Sequence, residues 1–149
     1  MIKEVVARRV IHAAYELDHA IDAKEWCRVR AFFSEKVMVN VGIVSGESVE
    51  MSADAFVAQI AAFNPADKLS MHTLGNAVVD VAENKAVLRA NRYGWNLCEH
   101  FQPALYELWG RVRYELVFEN DTWKINGFEL VKARDAGNIE VSLYCHSSS

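Results

Sequence analysis

Asp22 and His72 are the residues whose types and surroundings point most directly to chemistry. Histidine exchanges a proton near neutral pH, and burial or a neighbouring carboxylate tunes it for general acid or base work. His72 opens an alternating run in which it shares a face with Leu74, Asn76 and Val78, so its imidazole is expected to point into a mostly apolar interior. The structural alternative is a histidine satisfied by a backbone carbonyl. Asp22 sits at the joint of two amphipathic stretches in YELDHAIDAKEWCRVRAFF, residues 15–33, with Glu25 at capping-box spacing behind it. It either starts a helix or does chemistry, and one carboxylate oxygen can cap while the other faces a cavity. Asp18 lies at the edge of an apolar stripe, where a carboxylate must be paired or wet, and a solvated rim position is the expectation.

Other constellations are weaker. Asn91, Tyr93, Trp95 and Leu97 share one face of a strand and fit either a pocket lining that stacks on a flat substrate or ordinary cross-strand packing. His12, Glu16 and His19 have metal-ligand helical spacing but face away from the apolar stripe, which reads as a solvated face. The sequence contains no G-x-S-x-G elbow, Gly-rich phosphate loop or H-E-x-x-H motif, so neither a cofactor nor a metal is expected.

These residues need elements to hold them. Val6, Val10, Ala13, Leu17 and Ile21 recur at helical spacing, with Ile11 and Ala14 alongside. A short second helix follows Asp22, with Trp26, Val29, Phe32 and Phe33 continuing the pattern. VMVNVGIV (37–44) reads as a strand, and Ser52 opens a helix whose Phe56, Ile60 and Phe63 face a core until Pro65. From residue 70 the period becomes two. Long strands are expected over 70–82, 85–97, 104–118 and 123–132, with turns at Glu83-Asn84, near Pro103 and at Asn120-Asp121, and a last short strand over 139–145. Gly75, Gly94, Gly110 and Gly127 are candidate bulges or kinks. Helices followed by a long meander define an α+β class: a cone-shaped, curved, mixed or antiparallel sheet wrapped by the N-terminal helices, in one domain spanning 1–149.

Composition limits the partners. The 149 residues carry a net charge of −4 with no basic cluster, which disfavours nucleic acid. No uninterrupted apolar run suggests a signal peptide or membrane span, so a cytoplasmic protein is expected. Cys27, Cys98 and Cys145 are odd in number and form no C-x-x-C pair, which reads as buried or inert thiols.

With these pieces placed, the chain resembles the SnoaL-like branch of the nuclear-transport-factor-2-like superfamily, which includes polyketide cyclases, ketosteroid isomerases and scytalone dehydratase. The resemblance rests on YELDHAIDAKEW (15–26), MHTLGN (71–76) and FENDTWKI (118–125). By position, the catalytic aspartate and histidine of scytalone dehydratase correspond to Asp22 and His72. Its aspartate-preceding tyrosine falls at Ile21, its first-strand tyrosine at Val41, and its second histidine at Leu97, with His100 nearby. The ketosteroid isomerase tyrosine falls at Leu17 and its base near Val41, and no Asp-Arg-Asp set of the limonene-epoxide-hydrolase type appears in GRVRYE (110–115). The resemblance therefore implies a cofactor-independent lyase or isomerase, with Asp22 and His72 catalytic and a small hydrophobic cyclic or polyketide- or terpenoid-type substrate. Leu17, Asp18, Ile21, Val41, Asn91, Tyr93, Trp95, Leu97, Gly110 and Val112 would surround that substrate. It also implies a homodimer or higher homo-oligomer; the alternative is a non-catalytic ligand-binding or dimerisation module of the same fold.

Overall fold

The computed structural model describes residues 2–41 and 46–146. Gly42, Ile43 and Val44 of the expected 37–44 strand lie outside them. In chain order the elements are α1 (Lys3–Asp22), α2 (Trp26–Ala31), β1 (Phe33–Asn40), β2 (Val49–Ser52), α3 (Ala53–Ala62), β3 (Leu69–Ala82), β4 (Lys85–Leu97), β5 (Leu105–Glu119), β6 (Thr122–Gly137) and α4 (Ile139–Leu143). The strands form one six-stranded sheet in the order β2-β1-β6-β5-β4-β3. All pairings are antiparallel except β1 with β6, so the α+β class holds and the sheet is mixed.

The stripe on α1 does what its spacing demands: Val6, Val10, Ala14, Leu17 and Ile21 are buried, and the helix packs chiefly on β3. Beneath it, Leu88 and Ala90 of β4, Val112, Tyr114 and Leu116 of β5, and Ile125, Phe128 and Leu130 of β6 complete the core. Tyr114 and Phe128 stack with centroids 4.7 Å apart. Ser52 caps α3 by accepting a hydrogen bond from the Ala55 N–H. Phe63, expected to face the core, is exposed just past the helix.

Two element boundaries are corrected, and one strand is added. Phe33 does not prolong α2 but opens β1, because its ring fits between Phe56 and Phe128, at 5.3 and 6.3 Å. Residues 139–145 do not form a strand. Asn138 accepts a hydrogen bond from the Glu140 N–H and starts α4 instead, and β6 already has β1 and β5 on its two sides. The short edge strand β2 was not anticipated.

In β3 the alternation is broken once. Between Gly75 and Val78, three residue steps in β3 match two in β4, from Asn91 to Arg89, and Asn76 takes a left-handed φ of 52°. Ser70, His72 and Leu74 therefore face α1 before the bulge, and Ala77, Val79 and Val81 after it. Asn76 and Val78 are exposed and do not share the His72 face. Gly75, Gly110 and Gly127 adjoin register shifts, whereas Gly94 lies in unbroken ladders on both sides.

No described helix is long and apolar enough to cross a membrane. Among the cysteines, Cys98 is buried while Cys27 and Cys145 are exposed.

The C-terminal segment is held by a buried lysine. Lys68 is 1% exposed and donates to the Ser142 and Tyr144 carbonyls, at 3.2 and 2.7 Å. Burial disfavours its charged form and pushes its pKa from 10.5 to about 8. Between those values the unfolded chain holds the extra proton, so the Lys68 contribution to stability rises with pH across this window. Urea titrations of wild type and Lys68→Met from pH 7 to 10.5 are expected to show wild-type stability climbing relative to the variant. Parallel curves would contradict the assignment.

Candidate functional site

Asp22 is the last residue of α1, not the first of α2. The N-cap of α2 is Glu25, which makes no side-chain capping bond, and the chain turns between the helices through Lys24 at φ +58°. The Asp22 carboxylate is thus released from capping and reaches β3. Its Oδ1 accepts from the Ser70 hydroxyl at 2.8 Å and pairs with His72 Nδ1 at 2.7 Å, while Oδ2 accepts from the His72 backbone N–H at 2.9 Å. Burial opposes ionisation of Asp22, but the His72 ring bond and charge, the His72 N–H and the Ser70 hydroxyl together outweigh it and hold the pKa below its ordinary value. An ionised acceptor places the imidazole proton on Nδ1 and leaves Nε2 as the basic nitrogen. Nε2 makes no hydrogen bond to a described residue and is not sealed from solvent. The pair is accessible at one edge, with side chains 14% and 19% exposed for His72 and Asp22.

Gly94 makes room for the ring. It is the cross-strand partner of His72, and a Cβ there would lie 2.7 Å from the imidazole Cδ2 and 3.3 Å from Nε2. Its lack of a side chain is a seat for His72 rather than a kink.

A second pair stands beside the first. One turn earlier on α1, Asp18 Oδ1 accepts from Arg92 Nη2 at 2.7 Å, with side chains 6% and 10% exposed. Asp18 is therefore buried and paired, not a wet rim residue. The spacing follows from element geometry: four helix residues rise roughly 6 Å and two strand residues roughly 6.7 Å, so Asp18–Arg92 and Asp22–His72, with His72 seated on Gly94, form two parallel rungs. Burial works against the Arg92 charge, but the Asp18 charge, Tyr114, the Asp18 hydrogen bond and Asp22 hold the guanidinium charged. Tyr114 lies within the same field, its hydroxyl buried without a partner and its pKa pushed up by burial.

Asp18, Asp22 and His72 are thus brought together, with Leu17 and Ile21 in the core beside them. Val112 is buried on the inner face of β5, and so is Gly110, where an added Cβ would lie 2.9 Å from Leu130 Cδ1. Val41 is exposed just beyond β1. Asn91, Tyr93, Trp95 and Leu97 lie on the opposite face of the sheet from Arg92 and Gly94, so they do not line this site. Tyr93 packs there on Trp109, with ring centroids 5.2 Å apart. Sequence reasoning missed Arg92, Ser70 and Tyr114. Arg92 left a signal: Ala86, Leu88, Ala90 and Gly94 share its face, and an arginine in such a series needs a buried carboxylate.

Glu16 pairs with Arg28, while His12 and His19 are exposed. Two grooves, of about 560 Å³ beside α3 and about 410 Å³ between α1, α2 and the β5–β6 hairpin, are lined by other residues than these two pairs.

The model of a SnoaL-like domain matches residues 6–129. No curated protein matches the chain. Among solved structures, the Kfla4162 protein from Kribbella flavida superimposes with a TM-score of 0.85 at 17% identity, covering 95% of this chain and 99% of that one. A candidate scytalone dehydratase from Novosphingobium aromaticivorans gives 0.77 at 18% identity, covering 91% and 89%. The beta subunit of benzoate 1,2-dioxygenase from Burkholderia mallei gives 0.67 at 15%, covering 83% and 87%.

Two outcomes follow from the geometry. Gly94→Ala is expected to displace the His72 ring and to cost roughly 1–3 kcal/mol as an overpacking change. NMR should show the imidazole Nδ1 proton, protected by Asp22 in wild type, lost from the variant; its retention would mean the ring has spare room. For Asp22, a folded-state pKa below 3.8 gives stability that is present above that value and lost as pH falls through the lower folded pKa. The stability difference between wild type and Asp22→Asn should therefore shrink on acidification below pH 4, and a pH-independent difference would refute it.

Proposed function

The chain belongs to the SnoaL-like domain family, and from that premise we propose that it is a cofactor-independent acid–base lyase or isomerase acting on a small hydrophobic cyclic substrate. The fold alone does not decide this, because its structural relatives carry both dehydratase and dioxygenase-subunit names. The observation that carries the reading is the 2.7 Å contact between Asp22 and His72 Nδ1, which leaves Nε2 free and accessible. Asp22 fixes the tautomer and stabilises the imidazolium, as an orienting carboxylate does in other acid–base dyads. Nε2 takes a proton from carbon α to a carbonyl, and the C–H electron pair becomes a C=C bond as the carbonyl π pair moves to oxygen. The imidazolium then returns its proton either to another carbon, giving an isomer, or to a β-hydroxyl that leaves as water, giving a dehydrated product.

The homodimer is part of this proposal. The sheet face away from α1 presents Met71 and Leu69 among its exposed apolar residues, next to Tyr93, Trp95 and Trp109. Sedimentation equilibrium is expected to show a dimer for wild type and a monomer for Met71→Glu; a wild-type monomer would refute this part.

The activity is tested without knowing the substrate. A panel of enolisable and β-hydroxylated cyclic ketones in D₂O is expected to contain members that gain deuterium at the α-carbon, or lose water, at least 100-fold faster with wild type than with His72→Ala or Asp22→Asn. If no compound reacts faster with wild type than with His72→Ala, the catalytic reading falls and a ligand-binding module replaces it.

A further inference from the structure

Arg92 carries an inference that rests on the reading above and names what the substrate must offer. Its Nη2 is committed to Asp18, and its Nε is sealed without a partner. Its Nη1 makes no hydrogen bond to a described residue and is not sealed. Two unpartnered polar nitrogens therefore face accessible space on adjacent rungs: Nε2 of His72, a base, and Nη1 of Arg92, a cationic donor. Their strand positions are two residues apart, roughly 6.7 Å along β4, because His72 is seated on Gly94. Once each side chain leans toward a shared ligand, that spacing suits an acidic carbon and its carbonyl oxygen.

The unengaged Nη1 of Arg92 suits an oxygen on which negative charge develops. Besides Nη1, the buried unpartnered groups in this field are Arg92 Nε, a donor, the Tyr114 hydroxyl, which can donate or accept, and Asp18 Oδ2, an acceptor. The Asp18 and Asp22 carboxylates both lie in the guanidinium's field, so what Arg92 offers a ligand is the directed Nη1–H donor, and the low local dielectric strengthens its bond to a developing charge. We propose that Arg92 is a second catalytic residue, whose Nη1–H holds the substrate oxygen that becomes the enolate or phenolate while His72 handles the carbon-bound proton. The substrate must therefore present the oxygen of its enolisable carbonyl to Arg92 while its acidic carbon faces His72, and apolar terpenoid hydrocarbons are excluded. As the proton leaves carbon, the negative charge moves to oxygen and is met by the guanidinium; no further reactant is consumed.

The test compares two probes of similar shape, 4-nitrophenolate, which carries the anionic oxygen, and nitrobenzene, which lacks it. Wild type is expected to bind the phenolate at least tenfold more tightly than nitrobenzene at pH 8, read by the phenolate absorbance and by fluorescence quenching. Arg92→Met alone strands a buried Asp18 carboxylate and risks unfolding. The Asp18→Asn/Arg92→Met pair, which removes both charges together, and Arg92→Lys, which keeps the charge but loses the second fork nitrogen, are therefore the informative variants. Both are expected to retain nitrobenzene binding and to lose the preference for the phenolate. A preference that survives in both folded variants overturns the assignment, and so does a wild type with no preference. Because the readout is equilibrium binding, a failed deuterium exchange with the preference intact sinks the catalytic reading while leaving Arg92 as the oxygen anchor.

Discussion

The structure is organised around one carboxylate that is asked to join two elements. Asp22 ends α1, and in accepting from Ser70, the His72 backbone and the His72 ring it ties that end of the helix to the beginning of β3. Each bond is made to a charged acceptor, which makes it stronger than a bond between neutral groups, and together they offset the cost of withdrawing the carboxylate from water. The same bonds set the tautomer and orientation of His72, so the contact that anchors the helix end also positions the imidazole. Removing Asp22 would leave a histidine near the right place but with neither proton position nor ring direction determined.

The second constraint is commensurability. A helix advances by about 6 Å in four residues and a strand by about 6.7 Å in two, so a helix aligned with a strand can place successive rungs in register for a short distance. Here that distance carries the Asp18–Arg92 and Asp22–His72 pairs. The β3 bulge at Asn76 ends the arrangement by turning the next residues over, so that Ala77, Val79 and Val81 continue the inner face as apolar core. A polar site is thereby confined to one end of β3 and an apolar core to the other, with a single inserted residue between them.

Much of this was legible in the sequence, but unevenly. The α1 stripe, the α3 cap and the long strands are local signals, and the structure places them where expected, except that β6 runs past residue 132 to Gly137. Asp22 and His72 were identifiable as a pair only through the family resemblance, since a separation of 50 positions carries no spacing rule. The choice of face failed. Alternation divides β4 into Asn91, Tyr93, Trp95 and Leu97 on one side and Ala90, Arg92 and Gly94 on the other, and aromatic residues look like pocket lining on either side. What decides is the long-range partner of Arg92, and Asp18, 74 positions away, cannot be read from periodicity. Residues 139–145 differ for a related reason: the segment follows β6, which already has β1 and β5 on its two sides, and Asn138 supplies a helix cap.

The Asp18–Arg92 pair is buried with several polar atoms around it left without a partner. A fold selected for stability alone would gain by filling the position with apolar side chains, because a buried pair seldom exceeds its desolvation cost. Instead Asp18 Oδ2, Arg92 Nε and the Tyr114 hydroxyl stay buried and unsatisfied, each at a cost of about 1–3 kcal/mol. The stacked Tyr114–Phe128 rings and the dense core beneath α1 can offset that cost without relieving it. Asp18 Oδ2 and Arg92 Nε, a helix end diverted from capping, and a glycine placed so that an imidazole can lie over it adjoin one another, whereas Trp123 Nε1 and Asn126 Oδ1 are unpartnered elsewhere on β6. Departures from local optimality beside the open face of His72 are what the acid–base role proposed for it would require of its surroundings.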